Sequence, residues 1–383
     1  MLRLFSSFAL LTSALLCYAQ TPAALTARTG NYEVGVRLPP EGLFAGEEAE
    51  IEFHIVDVTQ VDPVLGPTPL IRGDVQATIS MPAMPGMPKF HERAHIEGVP
   101  GDYGIHPTFA HGGEFQLVLT VKPLSGPPFT VEFPLPVGDA QTGKTRKKLA
   151  PAFRMELTSF PKTPKAGEPA RLELTFRGRE AAKEALTEFD IAHERLVHLV
   201  IVREDLGTFA HVHPEMSEGG WFRIAYAFPT GGEYRLFADV APKGAGSQVL
   251  SAKIKVSGAS GERFNLTQTV ASANPIPDGD LAIGLQSSGA LAAKKTVSII
   301  FTLKDAKTGS VPEGMEPYLG AKGHLLMVSQ DGSTFVHAHP DEDPSSGSVT
   351  FLARFPKPGL YRAWAQFQRH GVVRTASFVI KAQ

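Results

Sequence analysis

Residues 324–340 read His324-Leu325-Leu326-Met327-Val328-Ser329-Gln330-Asp331-Gly332-Ser333-Thr334-Phe335-Val336-His337-Ala338-His339-Pro340. Apolar residues flank Asp331-Gly332, a dipeptide that favours the tight turn of a β-hairpin, so the stretch predicts strand, turn, strand. The same spacing occurs earlier, as His198, Asp205-Leu206, Phe209, His211, His213 and Pro214. With Asp331-Gly332 as the loop, Gln330 faces Ser333, and counting outward sets His324 opposite His339. The same count around Asp205-Leu206 sets His198 opposite His213. Directly opposed residues hold their Cβ atoms about 4.5–5.5 Å apart. Residues i and i+2 share a face, so His337 joins His339 and His211 joins His213. Each hairpin is therefore expected to gather three imidazoles at one end of one face, with the proline ending the strand just beyond. Three neutral imidazoles suit zinc or copper. A slip of one residue in register destroys the arrangement. A blander reading competes with it. Val200, Val202 and Phe209, or Leu326, Val328 and Phe335, lie on the same faces, where the histidines would be hydrogen-bonded residues at a core edge.

Outside the hairpins the chain keeps the same character. Short alternating runs such as Ile51-Glu52-Phe53-His54-Ile55 and Leu172-Glu173-Leu174-Thr175-Phe176 are punctuated by Gly and Pro. Strong helix formers gather only at Glu180–Glu188. Openings recur at Gly46-Glu47, Gly167-Glu168 and Lys294-Lys295, each followed by an alternating strand. Closings recur at Gly112-Gly113-Glu114-Phe115, Gly231-Gly232-Glu233-Tyr234 and Pro358-Gly359-Leu360-Tyr361. The period of roughly a hundred residues is that of one immunoglobulin-like sandwich. The expected fold is all-β: three tandem immunoglobulin-like or cupredoxin-like β-sandwich modules after a signal peptide. Expected boundaries are 1–19 for the signal peptide, 28–138 for the first module and 139–150 for a linker. The second module follows at 151–256, a Gly/Ser-rich linker at 257–262 and the third module at 263–383.

The N-terminus has the layout of a secretory signal. Arg3 precedes a short apolar core at Phe8–Leu16, and Cys17-Tyr18-Ala19 before Gln20 fits the small-residue rule for cleavage. Lipidation at Cys17 ranks second because Leu16 is bulky where a small residue is usual. Cys17 is the only cysteine in 383 residues, so cleavage would leave no disulfide and no thiolate ligand. No other apolar run is long enough for a membrane-spanning helix. The formal net charge of −2 offers no basic field for nucleic acid or an anionic membrane. The cations at Lys144 and Arg146-Lys147-Lys148 read as a solvated linker.

The first module lacks the histidine hairpin. In the corresponding region it carries Met81-Pro82-Ala83-Met84-Pro85-Gly86-Met87-Pro88-Lys89-Phe90-His91, followed by His95, His106 and His111. Prolines make this a loop. Thioether sulfur is a soft ligand that prefers Cu(I) and accepts imidazole beside it, which makes Met81, Met84, Met87 and His91 candidate ligands. Filling an apolar gap under a loop is the alternative for the methionines. This segment, with Gly101-Asp102-Tyr103 and Gly112-Gly113-Glu114-Phe115, resembles the YtkA-like domain family over roughly residues 30–138. The resemblance implies a small exported sandwich linked with copper handling and respiratory oxidase assembly, with the family's Met-Pro-x-Met segment falling on Met81, Met84 and Met87. The Phe-x-His-x-His-Pro modules are similar to modules of exported bacterial proteins, and that similarity implies no activity.

The expected function is therefore metal binding in the periplasm or outside the cell. Copper is favoured over zinc, held by His198, His211 and His213, by His324, His337 and His339, and by the methionine segment. The metal would be sequestered or passed to a periplasmic partner protein. The competing expectation is a structural or adhesive multi-sandwich protein that binds another protein or a glycan, with packing histidines. No Gly-x-Ser-x-Gly is present, and no general base recurs at a fixed offset in both modules, so no enzyme is expected. His193 has Leu319 at the matching place of the third module and reads as specific to one site or as a surface residue. The sequence leaves open whether the two histidine clusters act apart or as one site between modules.

Overall fold

A computed structural model describes residues 25–39, 41–63, 66–139, 153–178, 184–243, 245–267, 275–287, 291–341 and 347–383. The expected signal peptide, Cys17 and nearly all of the expected first linker lie outside the described residues. Nearly all regular structure is strand. Among the described residues the one helical element is a single 3-10 turn, Glu218–Gly220. Helix-forming composition at residues 180–188 does not yield a helix in its described part, which runs without regular structure into the two-residue strand Phe189–Asp190. A segment this short is marginal as a helix without an apolar face to bury. No described helix is long and apolar enough to cross a membrane.

The strands form three β-sandwiches in tandem, as the repeat period requires. The first pairs a sheet built on Ile51–Asp62 with one built on Gly113–Pro123. Their inward residues, among them Phe53, Ile55, Tyr103, Leu117 and Leu135, make one core. In the second, Pro169–Gly178 anchors one sheet, and Val197–Arg203 with Gly232–Pro242 anchors the other. In the third, Thr296–Asp305 faces His324–Ser329 and Gly359–Arg369. Here the strand Phe335–Asp341 belongs to both sheets. It pairs with His324–Ser329 up to Ala338 and with Ser348–Arg354 from His339 onward. Pro340 therefore does not end its strand, as expected above, but sits where the strand changes partner. Proline lacks an N–H and is tolerated where the ladder is handed over. In the second module Pro214 does separate Phe209–Val212 from Glu215–Ser217, which joins the opposite sheet.

The two histidine modules also pack on each other. Val197–Arg203 and His324–Ser329 are buried at every residue, on both faces. Alternate residues Val197, Leu199 and Ile201 enter the second module's own core. The opposite face, Val200 and Val202, meets Leu326 and Val328 in a separate apolar cluster with Leu206, Phe237 and Trp364. Phe209 stacks on Trp364 at 4.5 Å, and Phe237 stacks on Phe335 at 5.2 Å. The contact has approximate two-fold character: each module sets its hairpin phenylalanine against the aromatic residue of the other module's closing strand.

Candidate metal centre

The hairpin register is the one counted from the turns. Val200 pairs with His211 and Leu199 with Val212, which sets His198 opposite His213. Leu326 pairs with His337 and Leu325 with Ala338, which sets His324 opposite His339. The third-module turn is wider than two residues. Its last ladder bond runs from Ser329 N to Thr334 O, and Gly332 N turns back to Ser329 O.

The imidazoles are held in a chain of hydrogen bonds that is the same in both modules. His198 Nε2 donates to the Ala192 carbonyl at 2.9 Å, and its Nδ1 faces His211 Nε2 at 3.1 Å. His211 Nδ1 then donates to Gln366 Oε1 in the third module at 2.8 Å. The other end of the Gln366 amide is hydrogen-bonded with Thr375 at 3.1 Å. In the third module His324 Nε2 donates to Tyr318 O at 3.0 Å, and its Nδ1 faces His337 Nε2 at 3.1 Å. His337 Nδ1 donates to Asp239 Oδ2 in the second module at 2.8 Å. Asp239 lies opposite His198, and Gln366 opposite His324, on the closing strands. Each closing strand thus reaches across to orient the other module's second histidine.

These partners fix the tautomers. A neutral imidazole has one N–H and one lone pair, and carbonyl and carboxylate oxygens only accept. In the third module the outer nitrogens meet a carbonyl and a carboxylate and so carry the protons, which turns the lone pairs of His324 Nδ1 and His337 Nε2 toward each other across 3.1 Å; the second module repeats the spacing. Only a positive charge between them relieves that repulsion. Sharing a proton would charge a buried pair. Burial, and then the neighbouring His198, hold His211 down at about 4. Burial, and then His337, push His324 well below the ordinary imidazole value. Two nitrogens on one tetrahedral ion with ~2.0–2.1 Å bonds are separated by ~3.3 Å, close to the spacing seen. Outer N–H groups tied to carbonyl, amide or carboxylate oxygens are what orients metal-ligating histidines.

The second module completes a triad. One ligand atom from each of His198, His211 and His213 lies within 4.8 Å of the others. His213 Nε2 is buried with no hydrogen bond among the described residues, and burial followed by His211 holds its ring down at about 2. In the third module His339 lies in the strand where its backbone pairs with Leu352, and its side chain is outside the described residues.

The two clusters do not stand apart. The rings of His198 and His324 stack at 6.0 Å, and those of His198 and His337 are 5.5 Å apart. His193 is not a bystander on the surface, because its ring lies 5.1 Å from His324. Its backbone takes a positive φ of 45°, as Leu319 does at 50° in the matching turn. Its position five residues before His198 was visible in the sequence. Its reach into the neighbouring module was not.

The methionine segment is the loop of the first module's own hairpin, between Gly73–Ser80 and Phe90–Arg93. Two successive turns, Met84 N to Met81 O and Met87 N to Met84 O, shape it. Met81 and Met87 pack against the core, and Met84 is half exposed. Met84 and Met87 share an open apolar pocket with His111 rather than with His91. His91 is hydrogen-bonded with Thr78 at 3.0 Å on the exposed side of the hairpin. Alternation explains this: His91 sits one residue from the inward-facing Phe90.

Fold and geometry together define a tandem β-sandwich protein with a histidine centre where two modules meet. The family model described as "Domain of unknown function (DUF8832)" matches residues 152–258 and again 276–383, and the chain belongs to that family in two copies. The match leaves out residues 28–138, where the YtkA-like resemblance rests on the quoted motifs alone. No curated protein matches the chain. Among solved structures, the adhesin FdeC of Escherichia coli is 15% identical, with 91% of this chain and 96% of that chain covered and a TM-score of 0.21. A 1.5-MDa bacterial ice-binding adhesin is 7% identical with the same coverage and TM-score. Salmonella alpha-2-macroglobulin is 11% identical, with 94% of this chain and 24% of that chain covered and a TM-score of 0.23. Likenesses this loose say nothing of what this chain binds.

Proposed function

We propose that this is an exported, non-enzymatic metal-binding protein whose principal site lies at the junction of its two DUF8832 modules. The observation that carries the reading is the two ring nitrogens that face each other at 3.1 Å in each module, with every outer nitrogen tied to an oxygen. His198, His211 and His213 are the main ligands, and His324, His337 and His193 close the site from the other side. An all-imidazole donor set suits copper and zinc, and copper ranks first because Cu(II) binds nitrogen donors more tightly than Zn(II) does. The YtkA-like character of the methionine loop points the same way, with Met84, Met87 and His111 offering a softer place for Cu(I). The metal would be sequestered there or handed to a periplasmic partner protein.

Metal content of the purified full chain tests the reading. The wild type should retain copper or zinc, and a His211→Ala/His213→Ala variant should lose the ion held at the junction. Equal metal content in the two sinks the proposal. The histidines would then serve as hydrogen-bonded links between modules, and the adhesive reading would take its place.

A further inference from the structure

The first module contains a second cluster, around the strand that follows its methionine loop. Its hairpin strand Phe90–Arg93 begins with a phenylalanine, as Phe209–Val212 and Phe335–Asp341 do. Two residues after that phenylalanine stand His211 in the second module, His337 in the third and Glu92 in the first. They do not share a face: Val200 and Leu326, opposite the two histidines, belong to the contact between modules, whereas Ala77, opposite Glu92, belongs to the first module's own core. Just beyond, the chain crosses between sheets in every module. In the first it does so at buried Ala94, and His95–Ile96 then pairs with Asp102–Ile105.

This crossing brings Glu92, His95 and His106 together, one ligand atom of each within 4.8 Å of the others. The rings of His95 and His106 stack at 5.0 Å. Their outer nitrogens turn to carboxylates: His95 Nε2 is 2.7 Å from Glu97 Oε1, and His106 Nε2 is 3.7 Å from Glu50 Oε1. The other nitrogen of each ring, Nδ1, is fully buried and makes no hydrogen bond among the described residues. A buried polar atom left so costs about 1–3 kcal/mol, and two side by side call for a shared partner. Glu92 is already placed, accepting from the His106 backbone N–H at 3.1 Å and from Thr296 of the third module at 3.0 Å. Gly104 makes the room, because a Cβ there would fall 2.6 Å from Glu97 Oε1 and 2.9 Å from the His95 ring. The nearby cations are engaged elsewhere: Arg354 pairs with Glu48, and Arg37 pairs with Glu52 and Asp102.

We propose that Glu92, His95 and His106 form a second cation site, for a divalent ion of the zinc class, in the cleft between the first and third modules. Two imidazoles and a carboxylate, backed by Glu97 and Glu50, match the ligand set and the carboxylate-to-imidazole support of such sites. With no sulfur donor, the site does not favour Cu(I). The cleft is a cavity of about 510 Å³ lined by His95 and His106, so the ion has a way in, and it reaches as far as Asp239 and His337 of the junction. Because Glu92 also holds Thr296, binding would tie the first module to the third.

The test is titration of the metal-free full chain with Zn2+, and with Co2+ for its visible absorption. Wild type should take up one equivalent more than a His95→Ala/His106→Ala variant. That same equivalent should survive in the His211→Ala/His213→Ala protein, which separates this site from the junction. Equal stoichiometry in wild type and the His95→Ala/His106→Ala variant overturns the proposal. Should that variant lose its β-sheet circular dichroism, hydrogen exchange in the His211→Ala/His213→Ala protein decides instead. Zn2+ must slow exchange in peptides covering residues 92–106, and unchanged exchange there overturns the proposal equally.

Discussion

The second and third modules fold the same hairpin and put a histidine pair at the same place, yet they finish the site differently. The second module's His211 leans on a neutral amide, Gln366, and is joined by His213. The third module's His337 leans on a buried carboxylate, Asp239, which is 5% exposed and also accepts from Ser247. A carboxylate can offset one positive charge in a dry setting, whereas an amide can only orient a ring. The repeat thus supplies geometry twice and charge once.

That contrast can be broken most forcefully at Asp239. Asp239→Ala should destabilise the metal-free chain by ~3 kcal/mol, because it strands a buried imidazole N–H and the Ser247 hydroxyl. Gln366→Ala, which removes a neutral partner, should cost only ~1–2 kcal/mol. Urea denaturation of the two variants makes the comparison, and equal losses would show that the charge on Asp239 does nothing special.

Acid should sharpen the contrast next. His211 has an ordinary value of 6.5 and is held near 4 in the fold by burial and by His198. Above 6.5 the ring is neutral whether the chain is folded or not. Between 6.5 and about 4 only the unfolded chain takes up the proton, so the folded state loses ground as pH falls, and the loss is complete near 4. The urea midpoint of metal-free wild type should therefore fall across this window. A His211→Gln variant should show a shallower fall. Added copper or zinc should raise the midpoint at neutral pH and fail to do so near pH 4, where protons compete for the lone pairs.

The smallest effect lies in the turns. Leu206 and Gly332 occupy the same left-handed position, at φ 60° and 66°. Leu206 is fully buried in the contact between modules, and its carbonyl accepts from Arg362. Gly332 is buried too but carries no side chain into the contact, and a Cβ there would meet nothing closer than Arg235 Nε at 3.5 Å. Gly332→Ala should cost about 1 kcal/mol, the ordinary price of that backbone conformation. A larger loss of thermal stability would mean that the turn itself is part of the junction.

Much of this centre was legible from the residues. Turn chemistry and period-two alternation set the pairing of His198 with His213 and of His324 with His339, because register is local to a hairpin. What the sequence could not supply was the destination of the second face. Val200, Val202 and Phe209 have the composition of a sandwich interior, and nothing local distinguishes a residue that packs inside its own module from one that packs on the next. For the same reason Asp239 and Gln366 were invisible as partners: each lies far along the chain from the histidine it holds. Glu92 was hidden by a different cause. The methionine loop is so much longer than the other turns that the hairpin around it did not look like a hairpin, and the nearness of Glu92 to His95 and His106 appears only in the structure.

The approximate two-fold contact has a consequence for how such a chain could have arisen. Had the two surfaces once been identical, one DUF8832 unit on its own would have formed a homodimer with its histidines at the dyad. Joining two units in one chain replaces a concentration-dependent encounter with an intramolecular one. It also frees the two halves from being identical. A strict dimer must carry the same residue at both cross-bracing positions, whereas this chain carries aspartate at one and glutamine at the other.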